Sequence, residues 1–188
     1  MTHGTATMPT RQYAVTPVSL PQESRVAAMY AATDLADAYS IELPAEASTN
    51  PEVLARFIFS QRSSWMTGLM AVRDAVVAGF GLKTARHLKS AGDENKKSRV
   101  GIFRIYSAGQ TEIVLGEDDK HLDFRLSLLY SDTPSPLGER RLTLSTVVHC
   151  HNRLGRAYIF LIAPFHRLIV QSSLRRAARI GWPGAAEA

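Results

Sequence analysis

The sequence has a single cysteine, Cys150, in a chain of 188 residues. One cysteine excludes an intramolecular disulfide and a metal site built from several cysteines, and it is typical of a reducing compartment. The first residues lack the apolar core of a secretory signal, and no stretch reaches the roughly 18 apolar residues that a membrane span needs. These absences predict a cytoplasmic protein with no stable membrane span.

Motifs for nucleotide chemistry are lacking as well. The chain contains no glycine-rich phosphate loop, no internal repeat and no low-complexity tract. The net charge of +5 is modest and mostly arginine. It permits contact with anionic lipid or nucleic acid, but a solvated surface is the better default, and we expect no nucleic-acid partner. The length fits one domain with its own core. We expect that domain to span residues 20–182, between a disordered leader (1–19) and a C-terminal tail (183–188).

What is present is centred on a predicted hairpin. Within the predicted strand His121–Tyr130, polar and apolar residues alternate up to Leu128. Arg140–His151 returns as a second strand rich in β-branched residues. Pairing Tyr130 with Arg140 places the apolar side chains of both strands on one face and sets His121 opposite His149. We expect that face to be buried under the helix that follows; its members are Leu122, Phe124, Leu126, Leu142, Leu144 and Val148.

A long helix is predicted directly after the hairpin. Asn152 suits the N-cap position, and Arg153–Arg179 contains no acidic residue and one proline, Pro164. Proline removes one backbone hydrogen bond, so we expect a bend there. Ala157–Phe165 is apolar all round, which predicts that it is covered on more than one side. Beyond it the pattern becomes amphipathic, with apolar positions that include Leu168, Ile169 and Leu174 set against arginines.

The preceding chain supplies the rest of the sheet and further helices. Short turns join two predicted strands to the hairpin, which makes a four-stranded antiparallel meander. In order, we predict a short helix within Leu20–Ala32, a strand at Leu35–Leu43, a helix from Pro51 to about Ser60, a second helix from about Ser63 to Phe80, a basic connection at Lys83–Ser98, and strands at Arg99–Tyr106 and Glu112–Glu117.

This arrangement resembles the helix-grip fold of the START-like and polyketide-cyclase-like (SRPBCC) superfamily. The segments Ala36–Pro44, Val114–Phe124 and His149–Tyr158 are similar to a bacterial domain family of unknown function assigned to that superfamily. The resemblance covers roughly Leu20 to Trp182. It implies an α+β domain in which a curved antiparallel sheet grips a long, Pro-kinked C-terminal helix around a cavity for an apolar ligand. It implies no reaction, because the family has no established catalytic residues.

The candidate ligand-binding residues are those expected at that cavity: Arg104, Tyr106, Phe124, Thr146, Tyr158 and Phe165. Two-residue turns would pair Arg104 with Ile113 and turn Arg104 and Tyr106 toward the helix, where a guanidinium needs a carboxylate or an anionic ligand group. A register one residue different turns Arg104 to solvent and Phe103 and Ile105 inward. The sequence leaves these two registers open.

The other polar groups carry weaker signals. His121, His149, His151 and Asp123 fall together on the outer face of the hairpin, where no pocket excludes water, so we expect neither a metal nor a catalytic role. An acidic run, Glu117–Asp119, is read as a solvated turn. Cys150 is read as a small buried apolar residue. We therefore assign no catalytic residue, no metal and no cofactor.

The leading functional prediction is binding of a small apolar or amphiphilic molecule between the sheet and the final helix. The first alternative is an enzyme of the cyclase or hydrolase type that uses the same cavity, which a polar residue deep in the cavity would favour. The second is a partner-binding or homodimeric protein, which a filled core with an exposed apolar patch would favour.

Overall fold

The computed structural model describes residues 14–60, 98–132 and 140–185. Within these ranges the chain forms seven strands and two helices, which confirms the α+β class. In chain order they are β1 (Thr16–Val18), β2 (Leu35–Leu43), α1 (Pro51–Ser60), β3 (Arg99–Val100), β4 (Phe103–Ala108), β5 (Glu112–Asp118), β6 (Leu122–Asp132), β7 (Arg140–Cys150) and α2 (Arg153–Ile180). The predicted second helix and basic connection fall on residues 61–97, outside the described ranges.

The strands form one antiparallel sheet in the order β1-β2-β7-β6-β5-β4-β3. The strand predicted at Leu35–Leu43 is confirmed, and so is the meander from β4 to β7. The single strand predicted at Arg99–Tyr106 is interrupted at Gly101, whose φ of 60° breaks the extended backbone. Thr16–Val18, predicted as part of a disordered leader, forms an edge strand paired with β2.

The register predicted for the hairpin is wrong by two residues. Tyr130 pairs with Leu142 and Asp132 with Arg140, so β6 continues two residues beyond Tyr130. Asp123, rather than His121, therefore lies opposite His149. A shift of two leaves every side chain on its predicted face, because side chains alternate with a period of two.

The apolar face of the hairpin is buried as predicted, and we call it the inner face because both helices pack on that side. Leu126, Leu142, Leu144 and Val148 are 4% exposed or less. Phe124 is only half-buried, with its ring edge-on to Phe103 at 5.8 Å. This ring pair borders the space described below.

The start of α2 is fixed against the sheet by two residues. The side chain of Asn152 accepts a hydrogen bond from the Gly155 N–H at 3.0 Å, which confirms the predicted N-cap. A Cβ at Gly155 would lie 2.3 Å from the carbonyl oxygen of His121. Only glycine therefore allows the first turn of the helix to approach the connection between β5 and β6.

One face of α2 packs on the sheet, with Tyr158, Val170, Leu174 and Ala177 buried. The prediction that Ala157–Phe165 is covered on more than one side is wrong, since Phe160 is 87% exposed. The amphipathic interpretation also placed Leu168 on the covered side, but it is exposed. The helix continues through Pro164, and the bend expected there stays a prediction.

Residues 20–32 form successive turns and not the predicted helix. Ser24, Ala27 and Met29 each donate a backbone hydrogen bond to the carbonyl three residues earlier. The cause is a distant carboxylate: Glu112 on β5 accepts hydrogen bonds from the Ser24 hydroxyl at 2.7 Å and from the Arg25 N–H at 3.1 Å. These contacts hold the segment against the outer face of the sheet and use a backbone N–H that a helix would need.

Candidate functional site

A cavity of about 200 Å³ lies between the inner face and α2. The periods of strand and helix determine which residues form its walls. Alternate residues of β6 and β7 point toward the helix, and residues three or four apart on α2 point back toward the sheet. Most of the lining is apolar: Leu35, Phe59, Ile102, Phe103, Leu122, Phe124, Leu126, Leu144, Val148, Ile159, Ile162, Ala163, Ile169 and Val170. The polar lining residues are Glu117, Asp119, Thr146, Tyr158, His166 and Ser173.

One wall of the cavity carries a polar corner made by three residues. Asp37 on β2 pairs with Thr146 on β7, so both side chains point toward the helix. From α2, His166 places its Nε2 3.1 Å from the Thr146 hydroxyl and 3.5 Å from the Asp37 carboxylate. The Arg167 Nε lies 3.7 Å from the other Asp37 oxygen. Both carboxylate oxygens are buried and form no hydrogen bond within the described structure.

This corner does not have the geometry of a nucleophile–histidine–acid triad. In a triad, the hydroxyl contacts one imidazole nitrogen and the carboxylate orients the ring through the other. Here Thr146 and Asp37 both approach Nε2 of His166. What the corner offers instead is a hydroxyl and an imidazole at the wall of an apolar space, which can donate to and accept from a polar group of a ligand.

The cavity is bordered by charged groups near the connection between β5 and β6. Glu117 accepts a hydrogen bond from Arg99 at 2.7 Å. Asp118, its neighbour, instead pairs with Arg125 on the outer face at 2.7 Å. Burial acts to raise the pKa of Asp118, but hydrogen bonds from Tyr106 and Arg125 outweigh it and hold that pKa below its ordinary value. Two members of the acidic run predicted as a solvated turn, Glu117 and Asp118, thus pair with arginines on two faces of the sheet.

Three of the six residues predicted at the cavity line it. Phe124 comes from β6, Thr146 from β7 and Tyr158 from the first turns of α2. Phe165 does not: it is 41% exposed. Ile162 and His166, four and eight residues after Tyr158, line the cavity with it. Phe165, seven residues after Tyr158, also has helical spacing, so spacing alone does not separate it from the lining residues.

Arg104 and Tyr106 also lie outside the cavity, which corrects their assignment as lining residues. Of the two registers that the sequence leaves open, the structure has the one that turns Arg104 to solvent and Phe103 and Ile105 inward. Arg104 pairs with Gly116 and not with Ile113, and it is exposed, while Phe103 and Ile105 pack on the core. The register shifts between Ile105 and Ser107, so Tyr106 sits at an irregularity that turn lengths alone do not reveal.

Tyr106 belongs to a cluster on the outer face. The Arg125 guanidinium lies 3.7 Å above its ring, and its hydroxyl donates to Asp118 at 2.7 Å. Burial, together with that hydrogen bond, raises the pKa of Tyr106 to about 12. The phenol therefore remains protonated near neutral pH and acts as a hydrogen-bond donor that positions Asp118.

The outer-face histidines have protein partners. His149 stacks on Tyr30 with ring centroids 5.5 Å apart, and its Nδ1 lies 2.9 Å from the Ala32 carbonyl. His151 Nε2 lies 3.1 Å from Asp123. The contacts of His149 tie residues 30–32 to β7, and the contact of His151 joins the end of β7 to β6, so both rings have a structural role. That the histidines bind no metal stays a prediction.

Cys150 lies on the inner face, 2% exposed, in a cluster with Leu122 and Val148. Burial, and next the nearby Asp34 carboxylate, raise the pKa of the thiol to about 11. A thiol that stays protonated is a poor nucleophile. The interpretation of Cys150 as a packing residue is consistent with this environment.

The chain belongs to a family described as "protein of unknown function (DUF2867)", whose model matches residues 29–173. The match runs from just before β2 to the sixth turn of α2, so it includes every lining residue of the cavity. Neither a curated protein nor a solved structure gives a match to the chain.

Proposed function

We propose that this domain binds a small, largely apolar molecule with one polar group in the cavity between the inner face and α2. The observation that carries the proposal is an apolar space with a polar corner, the arrangement expected of a small-molecule site. We further infer a START-like helix-grip architecture, supported by the long C-terminal helix lying across the antiparallel sheet.

The volume limits the size of the ligand. A dry cavity of roughly 150 Å³ lined by apolar side chains accommodates a benzene molecule. The space here is about 200 Å³, which suits a single ring with a short substituent, on the order of ten non-hydrogen atoms. A sterol or a long acyl chain would extend beyond this space.

The polar corner limits the chemistry of the ligand. Thr146 and His166 lie 3.1 Å apart at the wall and can share a hydroxyl or carbonyl group of the ligand. Most of the remaining lining is aliphatic and aromatic, including Leu122 and Phe124. A phenol or an aromatic ketone matches this lining, because it combines one polar group with a ring.

Native mass spectrometry of the protein purified from its own host tests the proposal. We expect an adduct of low mass that is released on denaturation. Ala163→Leu places a larger side chain in the cavity and should remove the adduct. Ala157→Leu makes the same change at an exposed position of the same helix and should retain it. Absence of an adduct from the wild type, together with no binding of small phenols in solution, would contradict the proposal.

A second function, an enzyme using the same cavity, is favoured by one observation: His166 is an acid–base group at the cavity wall next to a buried carboxylate. Incubation of the released ligand with the protein distinguishes the two. A binding protein returns the molecule unchanged, whereas an enzyme converts it to a product of different mass. Conversion that stops in His166→Asn, while the ligand still binds, would establish catalysis.

A further inference from the structure

The side of α2 that faces away from the sheet carries four large apolar side chains in contact with solvent. Phe160, Leu161, Phe165 and Leu168, which we call the outer patch, are 87%, 50%, 41% and 56% exposed. At about 100° per residue they cover an arc of about 140° around the helix, with Phe160 and Phe165 at its edges and Leu161 and Leu168 between them. A contiguous apolar group of this kind marks an interaction surface.

The outer patch is flanked by positive charge along the same helix. The helix α2 contains six arginines and no acidic residue. Two arginines precede the outer patch (Arg153 and Arg156), one lies within it (Arg167), and three follow it (Arg175, Arg176 and Arg179). Arg156 and Arg167 pair with Asp34 and Asp37. Among the residues that the structure describes, the other four arginines form no ion pair. The helix therefore presents apolar side chains together with an excess of cationic ones.

We propose that α2 docks the outer patch on an anionic lipid surface and lies in the plane of the interface. A helix with an apolar side and flanking arginines binds in this way: the apolar side chains enter the boundary with the acyl chains, and the guanidinium groups contact lipid phosphates. Phe160 is the principal anchor, because it is the most exposed member of the patch and one of its two phenylalanines.

Two other roles of α2, a contact between two copies of the chain and a membrane span, fit the observed surface less well. Two copies joined through their outer patches would bring arginine-rich helices together, with no acidic residue on either helix to compensate. By length and composition alone α2 could cross a membrane. Its other side, however, is packed on the sheet through Val170, Leu174 and Ala177, so a spanning helix would have to leave the core.

Vesicle flotation with the full chain tests the proposal. We expect binding to vesicles of phosphatidylcholine mixed with phosphatidylglycerol, weaker binding at high ionic strength, and little binding to phosphatidylcholine alone. The double change Phe160→Ser and Leu168→Ser should reduce binding to the anionic vesicles about tenfold or more. Both positions are exposed, so circular dichroism should show an unchanged fold.

Matched controls separate the outer patch from general hydrophobicity. Val18 and Met29 are 37% and 39% exposed on other parts of the surface, and Val18→Ser with Met29→Ser should bind vesicles like the wild type. Arg153→Glu with Arg179→Glu should weaken binding at low ionic strength. Ala163→Leu should bind vesicles normally, so loss of the cavity ligand and loss of vesicle binding can be told apart.

Equal binding to neutral and anionic vesicles would overturn the proposal, and so would wild-type binding by the double serine variant. A chain that ignores vesicles but forms a dimer, which the double serine variant dissociates in sedimentation velocity, would assign the outer patch to a second copy instead.

Discussion

Filling the cavity with Ala163→Leu should stabilise the folded protein. Ala163 lines the cavity from α2, and leucine adds three carbon atoms. At about 0.8 kcal/mol per buried methylene the gain is roughly 2.4 kcal/mol. Ordering the leucine side chain costs about 0.5–1 kcal/mol, which leaves a net gain of roughly 1.5 kcal/mol. The same change should abolish ligand binding, so stability and binding move in opposite directions.

Urea unfolding of ligand-free protein, followed by far-ultraviolet circular dichroism, measures the change in the free energy of unfolding. In a thermal unfolding experiment, the midpoint should rise by about 3–6 °C. Ala157→Leu, at an exposed position, should change the free energy of unfolding by less than about 0.5 kcal/mol. A loss of about 1–3 kcal/mol in Ala163→Leu is the signature of overpacking. That result would show that the space is already filled and would refute the reasoning.

Three further predictions concern other parts of the molecule. Glu112→Ala leaves the buried Ser24 and Ser127 hydroxyls and the Arg25 N–H without this acceptor. The free energy of unfolding should fall by about 1–3 kcal/mol, the cost of unsatisfied buried donors, and wild-type stability would contradict the role of this carboxylate in holding residues 20–32. Burial raises the pKa of the Cys150 thiol to about 11, so Cys150 should react with a thiol reagent at pH 8 only as urea unfolds the chain. Prompt reaction of the folded protein would refute this prediction. For Asp34, burial acts to raise the pKa, but hydrogen bonds from the Cys150 N–H and Arg156 outweigh it and lower that pKa. The stabilisation that Asp34 provides is therefore present above its ordinary pKa and lost as the pH falls through its pKa in the folded protein. The destabilisation caused by Asp34→Asn should accordingly shrink in acid. A destabilisation that does not depend on pH would contradict this linkage.

The sequence predicts the inner face of the hairpin because alternation decides which side of a strand is apolar. It does not decide the register, since a slip of two residues preserves every face. Alternation is therefore equally compatible with Tyr130 opposite Arg140 and with the observed pairing of Tyr130 and Leu142. The turns at residues 20–32 could not be predicted from the sequence for a different reason. Val26 and Tyr30 have helical spacing, but a carboxylate 88 positions from Ser24 determines the local backbone.

The candidate site was predictable where it depends on a single periodic element. Phe124 and Thr146 follow from strand alternation, and Tyr158 follows from the helix start. The polar corner depends on three elements, because Asp37, Thr146 and His166 come from β2, β7 and α2. Hydropathy also identified α2 as apolar without showing that its outer side is left uncovered, so Phe165 was assigned to the cavity.

Isoleucine methyl NMR during titration with 4-ethylphenol, a ring with one hydroxyl and a short alkyl chain, tests the central claim most directly. Four isoleucines line the cavity: Ile102, Ile159, Ile162 and Ile169. Three more are buried in the core away from it: Ile41, Ile58 and Ile113. We expect saturable shifts of the four lining methyls and none of the three core methyls, and we expect the shifts to disappear in Ala163→Leu but persist in Ala157→Leu. Lining methyls that do not move, or shifts confined to the exposed Ile180, would contradict a ligand cavity between the sheet and α2.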